Sequence, residues 1–460
     1  MRKQKVLALA VASTLTMASG AYAQQRISAE GTGDLLMFPF YNVKNESNTY
    51  LHISNTTNEN KAVVVRFLEH INGQTILEFN VYLGPYDIFP VALGSVPSST
   101  GGSGGAIITT DETCTVPELG TANAPYDGTQ ETTFAGKLLR TQPFVPYLYN
   151  TDVNSNLERT EMGYVEVIEM GVVSSEIDVS KCDDLRTLWN TGAWGTDPKF
   201  NVSAPTGGLS GSAMFINPNL AYSMSIDVTA IDNWGKEGVV YHALRGPTLA
   251  DGSTVADLGS LQVDYTGQVD GAVSATSALL ASRSVMNEVV IEPAIAAETD
   301  WVVTFPTKKY LTNGSTAGAP FTEVYDKTEA ANVACETLAL SQFDRASNSS
   351  SSSGSFVPTS DNGVEGELCD TVSVLKFSTN SALQADKTIG VAFNYDAGAV
   401  RLVADQVLPA DNNGVEIPGL PVLGFAGTRI VNGDKSYGYA VSHISNTVTS
   451  FVTNTVTSGG

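Results

Sequence analysis

Short runs with a period of two recur along the chain and predict β-strands. Over residues 76–83, apolar side chains at 77, 79, 81 and 83 alternate with a more polar set, which is typical of a strand that buries one face. Similar runs begin at Gly33, Tyr50 and Ala62, and Asn, Asp and Gly residues separate them. Because such residues favour tight reversals, we predict an antiparallel meander over residues 33–89.

Strand patterns continue to the end of the chain, whereas helical patterns are short. Further strands are predicted at 164–170, 212–216 and 221–231, and a second series begins at Asp300 and reaches Val441. A short helix is predicted at 183–189, and residues 276–289 fit one helix or two turns. We therefore predict an all-β fold. It would consist of two antiparallel β-sandwich-like domains with long loop insertions and few short helices.

The predicted domain boundary lies near residue 290, which gives domains at 24–290 and 291–460, and whether the two share a sheet stays open. Residues 94–160 form a long insertion in the first domain, because they are rich in Gly, Ser and Thr and lose the period of two. Excursions of this kind often carry interaction surface.

The first 23 residues have the composition of a cleavable secretory signal peptide. Basic residues at 2, 3 and 5 precede the apolar stretch Val6–Met17, and Ala21 and Ala23 give a small-x-small cleavage motif. A membrane anchor is the alternative, but it needs about 20 apolar residues, and Ser13 and Ser19 interrupt the run. Later apolar runs are shorter still, so we expect no transmembrane anchor.

The charge balance is strongly acidic and limits the partners. The sequence has 25 Lys and Arg against 48 Asp and Glu, for a net charge of −23, and loss of the basic residues in 1–23 leaves −26. A polyanion binds through basic patches, so we expect no nucleic-acid partner. Cations are the expected counter-charge.

Four cysteines, Cys114, Cys182, Cys335 and Cys369, predict disulfides, because an even number in an exported chain favours pairing. Three pairings are open. We favour Cys114 with Cys182 and Cys335 with Cys369, since each bridge then closes a loop within one half of the chain. A zinc site is the alternative, but the histidines lie far from the cysteines in sequence.

Residues that could carry catalysis are not grouped in the sequence. Ser103 lies in a Gly-x-Ser-x-Gly pattern, but this Gly/Ser tract has no predicted strand and helix to hold a nucleophile, so we interpret the match as accidental. His52 and His70 are predicted on the solvent side of strands, and structural roles are predicted for all four histidines, including His242 and His443. We expect no catalytic residues and no enzyme activity.

Calcium is the cofactor for which the sequence offers candidate ligands. Asp152, Asn154, Asn156 and Glu158 alternate like the start of an EF-hand loop, although the later EF-hand positions do not match. Asp411, Asn413 and Glu416 form a second candidate site, and residues 361–367 form a third. The alternative is that each Asp-Asn-Gly cluster is a hairpin turn.

These features favour a structural surface protein in which divalent ions bridge acidic faces and the chain associates with itself. A secreted hydrolase or carbohydrate-binding protein is one alternative, and a filament or adhesin subunit is another. Four segments, Gly33–Val43, Arg66–Glu69, Leu83–Asp87 and Gly419–Phe425, resemble S-layer proteins of Pseudoalteromonas and related marine gammaproteobacteria.

The resemblance implies a two-dimensional lattice on the outer cell surface of a Gram-negative bacterium and a place in the biofilm matrix. The outer-membrane surface or lipopolysaccharide would then be a partner beside the chain itself. The resembling motifs are structural, so they carry no functional residues over to this chain.

Overall fold

The computed structural model describes residues 24–98, 102–120, 132–134, 136–145, 152, 155–328, 334–346, 349–350, 357–358, 366–433 and 435–446. The predicted signal peptide lies outside these residues. Within them the chain is mostly β, with several antiparallel sheets and few short helices, which confirms the predicted all-β class. No helix among the described residues has the length and apolar character that crossing a membrane requires.

The first half of the chain contributes two large sheets. Its strands, in chain order, are β1 (Arg26–Ile27), β2 (Leu35–Asn42), β3 (Asn48–Asn55), β4 (Asn60–Glu69), β5 (Thr75–Leu83), β6 (Ile88–Pro97), β7 (Ser103–Thr109), β8 (Cys114–Val116), β9 (Thr132–Phe134), β10 (Lys137–Pro143), β11 (Met162–Val173), β12 (Val202–Ser203), β13 (Leu209–Asn217), β14 (Tyr222–Ile226) and β15 (Thr229–Asp232). Among the described residues, an eight-stranded sheet has the order β1-β15-β2-β11-β4-β5-β8, with β12 beside β11, and a seven-stranded sheet has the order β14-β13-β3-β6-β7-β10-β9.

The second half contributes two smaller sheets and three short pairs. Its strands are β16 (Val255–Asp257), β17 (Gln262–Asp264), β18 (Ala281–Ser282), β19 (Ser284–Val290), β20 (Glu298–Thr304), β21 (Glu336–Thr337), β22 (Ala339–Asp344), β23 (Ser349–Ser350), β24 (Val357–Pro358), β25 (Glu367–Leu368), β26 (Val372–Lys376), β27 (Ile389–Gly390), β28 (Ala397–Val403), β29 (Leu420–Pro421), β30 (Leu423–Asn432), β31 (Lys435–Ser442) and β32 (Ile444–Asn446). Within the described part, the six-stranded sheet runs β24-β27-β26-β20-β30-β31 and the five-stranded sheet runs β23-β22-β28-β19-β32.

Helices are short and lie between the strands. They are α1 (Cys182–Asn190), α2 (Ala193–Thr196), α3 (Gly271–Leu280) and α4 (Lys308–Thr312), with 3-10 turns at Leu157–Glu161, Leu249–Asp251 and Pro293–Ile295. Helix α1 occupies the position predicted for a helix at 183–189. The ambiguous residues 276–289 divide into the end of α3 and the strands β18 and β19.

The eight-stranded sheet is buried on both faces, which explains why β2 reads as one apolar run. Phe38 faces the core between the eight- and seven-stranded sheets. Its neighbours Leu35 and Met37 belong to a second core on the other face, where Trp189 and Trp194 of the helical segment pack. All eight residues of β2 are buried as a result. A strand buried on both faces has no polar side to alternate with its apolar side.

The two halves share an apolar core but no large sheet among the residues described. On the six-stranded sheet, Val302 and Phe425 join the core of the first half, whereas Trp301 and Val303 join the core above the five-stranded sheet. The rings of Phe40 and Phe425 meet edge to face with centroids 6.0 Å apart. The six-stranded sheet is therefore the middle layer of the molecule.

The predicted domain boundary at residue 290 does not coincide with the point where the chain passes into the sheets of the second half. Strand β18 pairs with β29 and strand β19 pairs with β28, so residues 281–290 belong to the sheets of the second half. The helix α3 directly precedes them and follows the short pair of β16 and β17. Its sequence gives no Pro- or Gly-rich linker that would mark this point.

The predicted loop insertion at 94–160 was wrong in part, because β7 and β10 extend the seven-stranded sheet through it. Glycine is required there by close packing. A Cβ on Gly105 would lie 2.6 Å from the carbonyl oxygen of Thr160 and 2.7 Å from the ring of Phe144. Backbone hydrogen bonds hold the strand where side chains do not fit, so the period-two signal disappears although the strand remains.

Both disulfides have the pairing favoured from sequence. Cys114 bonds to Cys182, which ties β8 to the start of α1, and Cys335 bonds to Cys369, which ties the chain before β21 to the chain after β25. They close segments of 68 and 34 residues. Cross-links over such lengths restrict the unfolded chain.

Gly163 gives a direct test of the packing between β11 and β4. A Cβ at this position would lie 1.9 Å from the carbonyl oxygen of Leu68, so Gly163→Ala must push two paired strands apart. We expect it to lower the free energy of unfolding in urea by at least about 1–3 kcal/mol, as overpacking does. The matched control is Gly84→Ala, because a Cβ there meets nothing within 4 Å. Equal stabilities of the two variants would contradict this packing.

Candidate functional site

The first predicted calcium cluster is divided between separate structural roles. Asp152 is buried and accepts a hydrogen bond from the Arg159 guanidinium at 3.0 Å and another from the Tyr325 hydroxyl at 3.2 Å. Asn156 caps the 3-10 turn by accepting from the Arg159 backbone N–H. Glu158 is exposed, and Asn154 lies outside the described residues. The Asp152 carboxylate is thus neutralised by a protein cation.

The second predicted cluster is a turn organised by Asp411. Its Oδ1 accepts from the backbone N–H groups of Asn413 and Val415, each at 2.8 Å, and its Oδ2 accepts from the N–H of Asp264 at 3.1 Å. Both oxygens therefore have donors from the protein. Asn413 and Glu416 are exposed. This geometry is that of an Asx-type turn, which was the alternative interpretation.

The third cluster, residues 361–365, lies outside the described residues, and Glu367 is on β25. One group with metal-like spacing occurs in the described part of the chain, formed by Cys335, Glu367 and Cys369. Its two sulfurs are bonded to each other. A disulfide has no thiolate to offer a metal ion, so this group is not a metal site.

The prediction that His70 lies on the solvent side of a strand is wrong. His70 is buried, and its Nδ1 lies 3.2 Å from the carbonyl oxygen of Arg159, because the turn between β4 and β5 is covered by the second half. Burial lowers the pKa of His242 and of His443 to about 4. His242 contacts Trp194, and His443 contacts Trp301. Both act as neutral core residues at physiological pH.

Two serines lie near groups that could resemble catalytic partners. The Ser103 hydroxyl donates to Oε1 of Glu161 at 2.6 Å, and it sits at the start of β7 rather than at a strand-to-helix elbow. The Ser212 hydroxyl is 3.2 Å from Nδ1 and 3.4 Å from Nε2 of His52, across neighbouring strands. Because the Ser212 hydroxyl lies near both ring nitrogens of His52 at once, we interpret this contact as packing of neighbouring side chains on an open sheet face.

A polar cleft of about 580 Å³ lies where the halves meet. Lys44 lines it, with Nζ 2.6 Å from Glu161 and 3.7 Å from Asp386 of the second half. Ser95 also donates to Glu161. These charges are satisfied by one another, so the cleft links the two halves.

Other charged groups are buried within each half. The Arg159 guanidinium donates to both carboxylate oxygens of Glu69, at 2.7 and 3.0 Å. Burial alone would raise the pKa of Glu69, but Arg159 outweighs it and the pKa is lowered. Lys308 is buried as well, and burial lowers its pKa to about 8. Such groups are costly to bury without partners, and each of these has its partner within its own half.

Strand β31 presents an unusual surface. Tyr437, Tyr439 and Val441 lie on one side of it and are 55%, 36% and 39% exposed. Residues 436–442 contain no charged side chain. We call Tyr437, Tyr439 and Val441 the β31 surface. It adjoins a groove of about 450 Å³ lined by Met214, Ile216 and Tyr222, among others.

The sequence analysis did not predict the β31 surface, because the large residues of this strand face solvent and the small residues face the core. In a half-buried strand the large apolar residues normally face the core. Here Gly438 and Ala440 face inward, since β14 packs so closely that a Cβ on Gly438 would lie 2.8 Å from the Ser223 carbonyl oxygen. Small residues alternating with Tyr and Val could have signalled this arrangement.

Comparison of the chain with protein-family models, with curated proteins and with solved structures finds no match.

The Arg159–Glu69 pair allows a test of the buried charges. Arg159→Met keeps the length of the side chain but leaves Glu69 buried without its cation, so we expect a loss of about 3–5 kcal/mol in the free energy of unfolding. Arg345 pairs with Glu292 at the surface and its side chain is 65% exposed, so Arg345→Met serves as control and should change stability by about 0–1 kcal/mol. Urea denaturation measures both, and a small effect for Arg159→Met would contradict the structural role.

Asp300 makes stability depend on pH. Burial raises its pKa to about 7, although the Ser381 hydroxyl and the Leu383 N–H donate to its Oδ2. The folded state therefore holds a proton that the unfolded state releases near pH 4. This contribution to stability is complete below about pH 4 and is lost as the pH rises through 7.

Thermal unfolding at pH 5 and pH 8 tests this. Asp300→Asn should reduce the difference in unfolding free energy between the two pH values by on the order of 2 kcal/mol. Asp183→Asn, at a fully exposed side chain, is the control and should leave the difference unchanged. An undiminished difference in Asp300→Asn would show that other groups cause the pH dependence.

Proposed function

We propose that this protein is a structural surface protein that associates with copies of itself and needs cations to do so. The β31 surface is the observation that carries the proposal. It offers uncharged, partly apolar area at a sheet edge of a chain whose net charge is −23. Exposed apolar side chains that lie next to one another on a protein surface support contact with another protein.

Electrostatics accounts for the cation requirement. Copies at −23, or −26 without residues 1–23, repel each other at low ionic strength. Divalent ions between acidic faces would reduce this repulsion, and calcium is the ion that exposed carboxylate and amide oxygens favour. The exposed Glu158, Asn413 and Glu416 remain available to intermolecular ions, whereas Asp152 and Asp411 are used within the fold.

The resemblance to S-layer proteins supports the finer proposal. In it the chain forms a two-dimensional lattice on the outer surface of a Gram-negative cell and contributes to the biofilm matrix. The two disulfides agree with an oxidising compartment. The outer-membrane surface or lipopolysaccharide would be the anchoring partner.

Electron microscopy of the purified chain tests the assembly. We expect ordered sheets in millimolar calcium and dispersal by a chelator. Val441→Asp places a charge in the β31 surface and should prevent assembly, whereas Val269→Asp, at a side chain that is 89% exposed elsewhere, should assemble like the unmodified chain. A chain that stays monomeric with calcium would overturn the proposed function.

A further inference from the structure

We propose that Lys61 and Glu169 become joined by an amide bond between Nζ of the lysine and Cδ of the glutamate, which the folded chain forms itself with loss of one water molecule. The bond would be a covalent cross-link between β4 and β11, which are neighbours in the eight-stranded sheet. Such a cross-link goes beyond the proposed function and does not depend on self-association.

The two side chains are in contact inside the fold. Nζ of Lys61 donates to Oε1 of Glu169 at 2.9 Å, and both side chains are 0% exposed. Lys61 is opposite Val172 and Glu169 is opposite Val63, so the side chains are diagonal neighbours on one face of the sheet. Because a carbon–oxygen bond is about 1.23 Å long, Nζ is no farther than about 4.2 Å from Cδ. A small movement therefore separates the pair from bonding distance.

Burial changes the balance between the two ions and the amide. In water the ions are favoured because both are well hydrated, but this hydration is lost when they are buried. A neutral amide costs much less to bury if its N–H and C=O groups are hydrogen-bonded. Burial also raises the pKa of Glu169 to about 7, although Lys61 opposes this, which shows that the site disfavours the carboxylate. The fixed contact further favours bond formation, since the two groups need not meet by diffusion.

A second carboxylate is placed to accept the proton that the amine must lose. Oε2 of Glu59 lies 3.0 Å from Nζ of Lys61. The Thr206 hydroxyl donates to the same oxygen at 2.6 Å and accepts from Nζ, and its hydrogen bond lowers the pKa of Glu59. Glu59 is therefore ionised at neutral pH and can act as a general base toward the ammonium group.

Backbone N–H groups are placed to stabilise the charge that develops on Glu169. The N–H of Gly207 donates to Oε2 at 2.8 Å, and the N–H of Thr206 donates to Oε1 at 3.2 Å. When Nζ attacks Cδ, negative charge collects on the oxygen that will become the amide carbonyl. The Gly207 N–H already points at Oε2, so it can stabilise this charge without rearrangement.

The bond-forming step balances without another reactant. Glu59 takes one proton from the ammonium group, and the freed electron pair of Nζ forms the bond to Cδ. The bond between Cδ and Oε1 then breaks. Oε1 leaves as water with two of the three ammonium protons, one of them returned by Glu59, and the third proton stays on the amide nitrogen. No group is oxidised or reduced, and the step occurs once in each chain.

Mass spectrometry of the purified full chain tests the cross-link. With the disulfides reduced, the intact mass should be lower by one water than the mass calculated for the residues present. Trypsin does not cleave after an acylated lysine, so digestion should give one branched peptide in which residues 45–66 are joined to residues 160–181. Its fragment spectrum should place the branch at Lys61 and Glu169. An intact mass without this loss, or a loss confined to unbranched peptides, would overturn the proposal.

Lys61→Arg identifies the nucleophile. It keeps a cation beside Glu169 but has no amine that can be acylated, so we expect no water loss and no branched peptide. The matched control is Lys181→Arg, because Lys181 pairs with Asp178 at the surface and its side chain is 63% exposed. This control should lose water like the unmodified chain. A branched peptide in Lys61→Arg would contradict the assignment.

Glu59→Gln tests the proton acceptor, because it keeps the size of the side chain but removes the base. A smaller fraction of this variant should be cross-linked at a given time after synthesis, and a fraction equal to that of the unmodified chain would contradict the role of Glu59.

Electrophoresis in detergent gives a second measurement. The bond would close a segment with a sequence separation of 108, so the reduced, unfolded chain should migrate faster than Lys61→Arg. Equal migration would count against the bond.

Discussion

The packing of the six-stranded sheet on both of its faces is the constraint on which the rest of the structure depends. Val302 and Phe425 reach the core of the first half, and Trp301 and Val303 reach the core of the second. A sheet in this position cannot lose either neighbour without exposing an apolar face to water. It therefore holds the two large sheets of the first half and the five-stranded sheet in one arrangement.

Charges at the junction follow from the same packing. Within the first half, the bidentate pair of Arg159 with Glu69 requires one geometry. Lys44 adds a link from Glu161 to Asp386 across the two halves. In the proposed assembly, the acidic surplus at the surface keeps copies apart except where the surface is uncharged.

Sequence patterns predicted the all-β class, the helix at α1 and the disulfide pairing, because each depends on local periodicity or on chain length. They failed where residues distant in sequence determine the local structure. Residues 103–109 form a strand without a period of two because Thr160 and Phe144 leave no room for a side chain at Gly105, and His70 is buried because the second half covers it. Asp152 had the composition of a calcium ligand, but its donors include Tyr325 of the second half, which no spacing rule reveals. Asp411 accepts mainly from Asn413 and Val415, as the alternative prediction of a turn implies. The inverted face of β31 is set by β14, more than 200 positions earlier in the chain.

The shared core also limits how independently the two halves of the chain can evolve. Many β-sandwich chains consist of units that recombination can move between genes, because each unit closes its own interior. Here neither half is closed, since the face that carries Val302 and Phe425 is completed by residues such as Phe40. The two halves must therefore be inherited as a pair, and substitutions at their contact are expected to co-vary during evolution as they would between the subunits of an obligate complex.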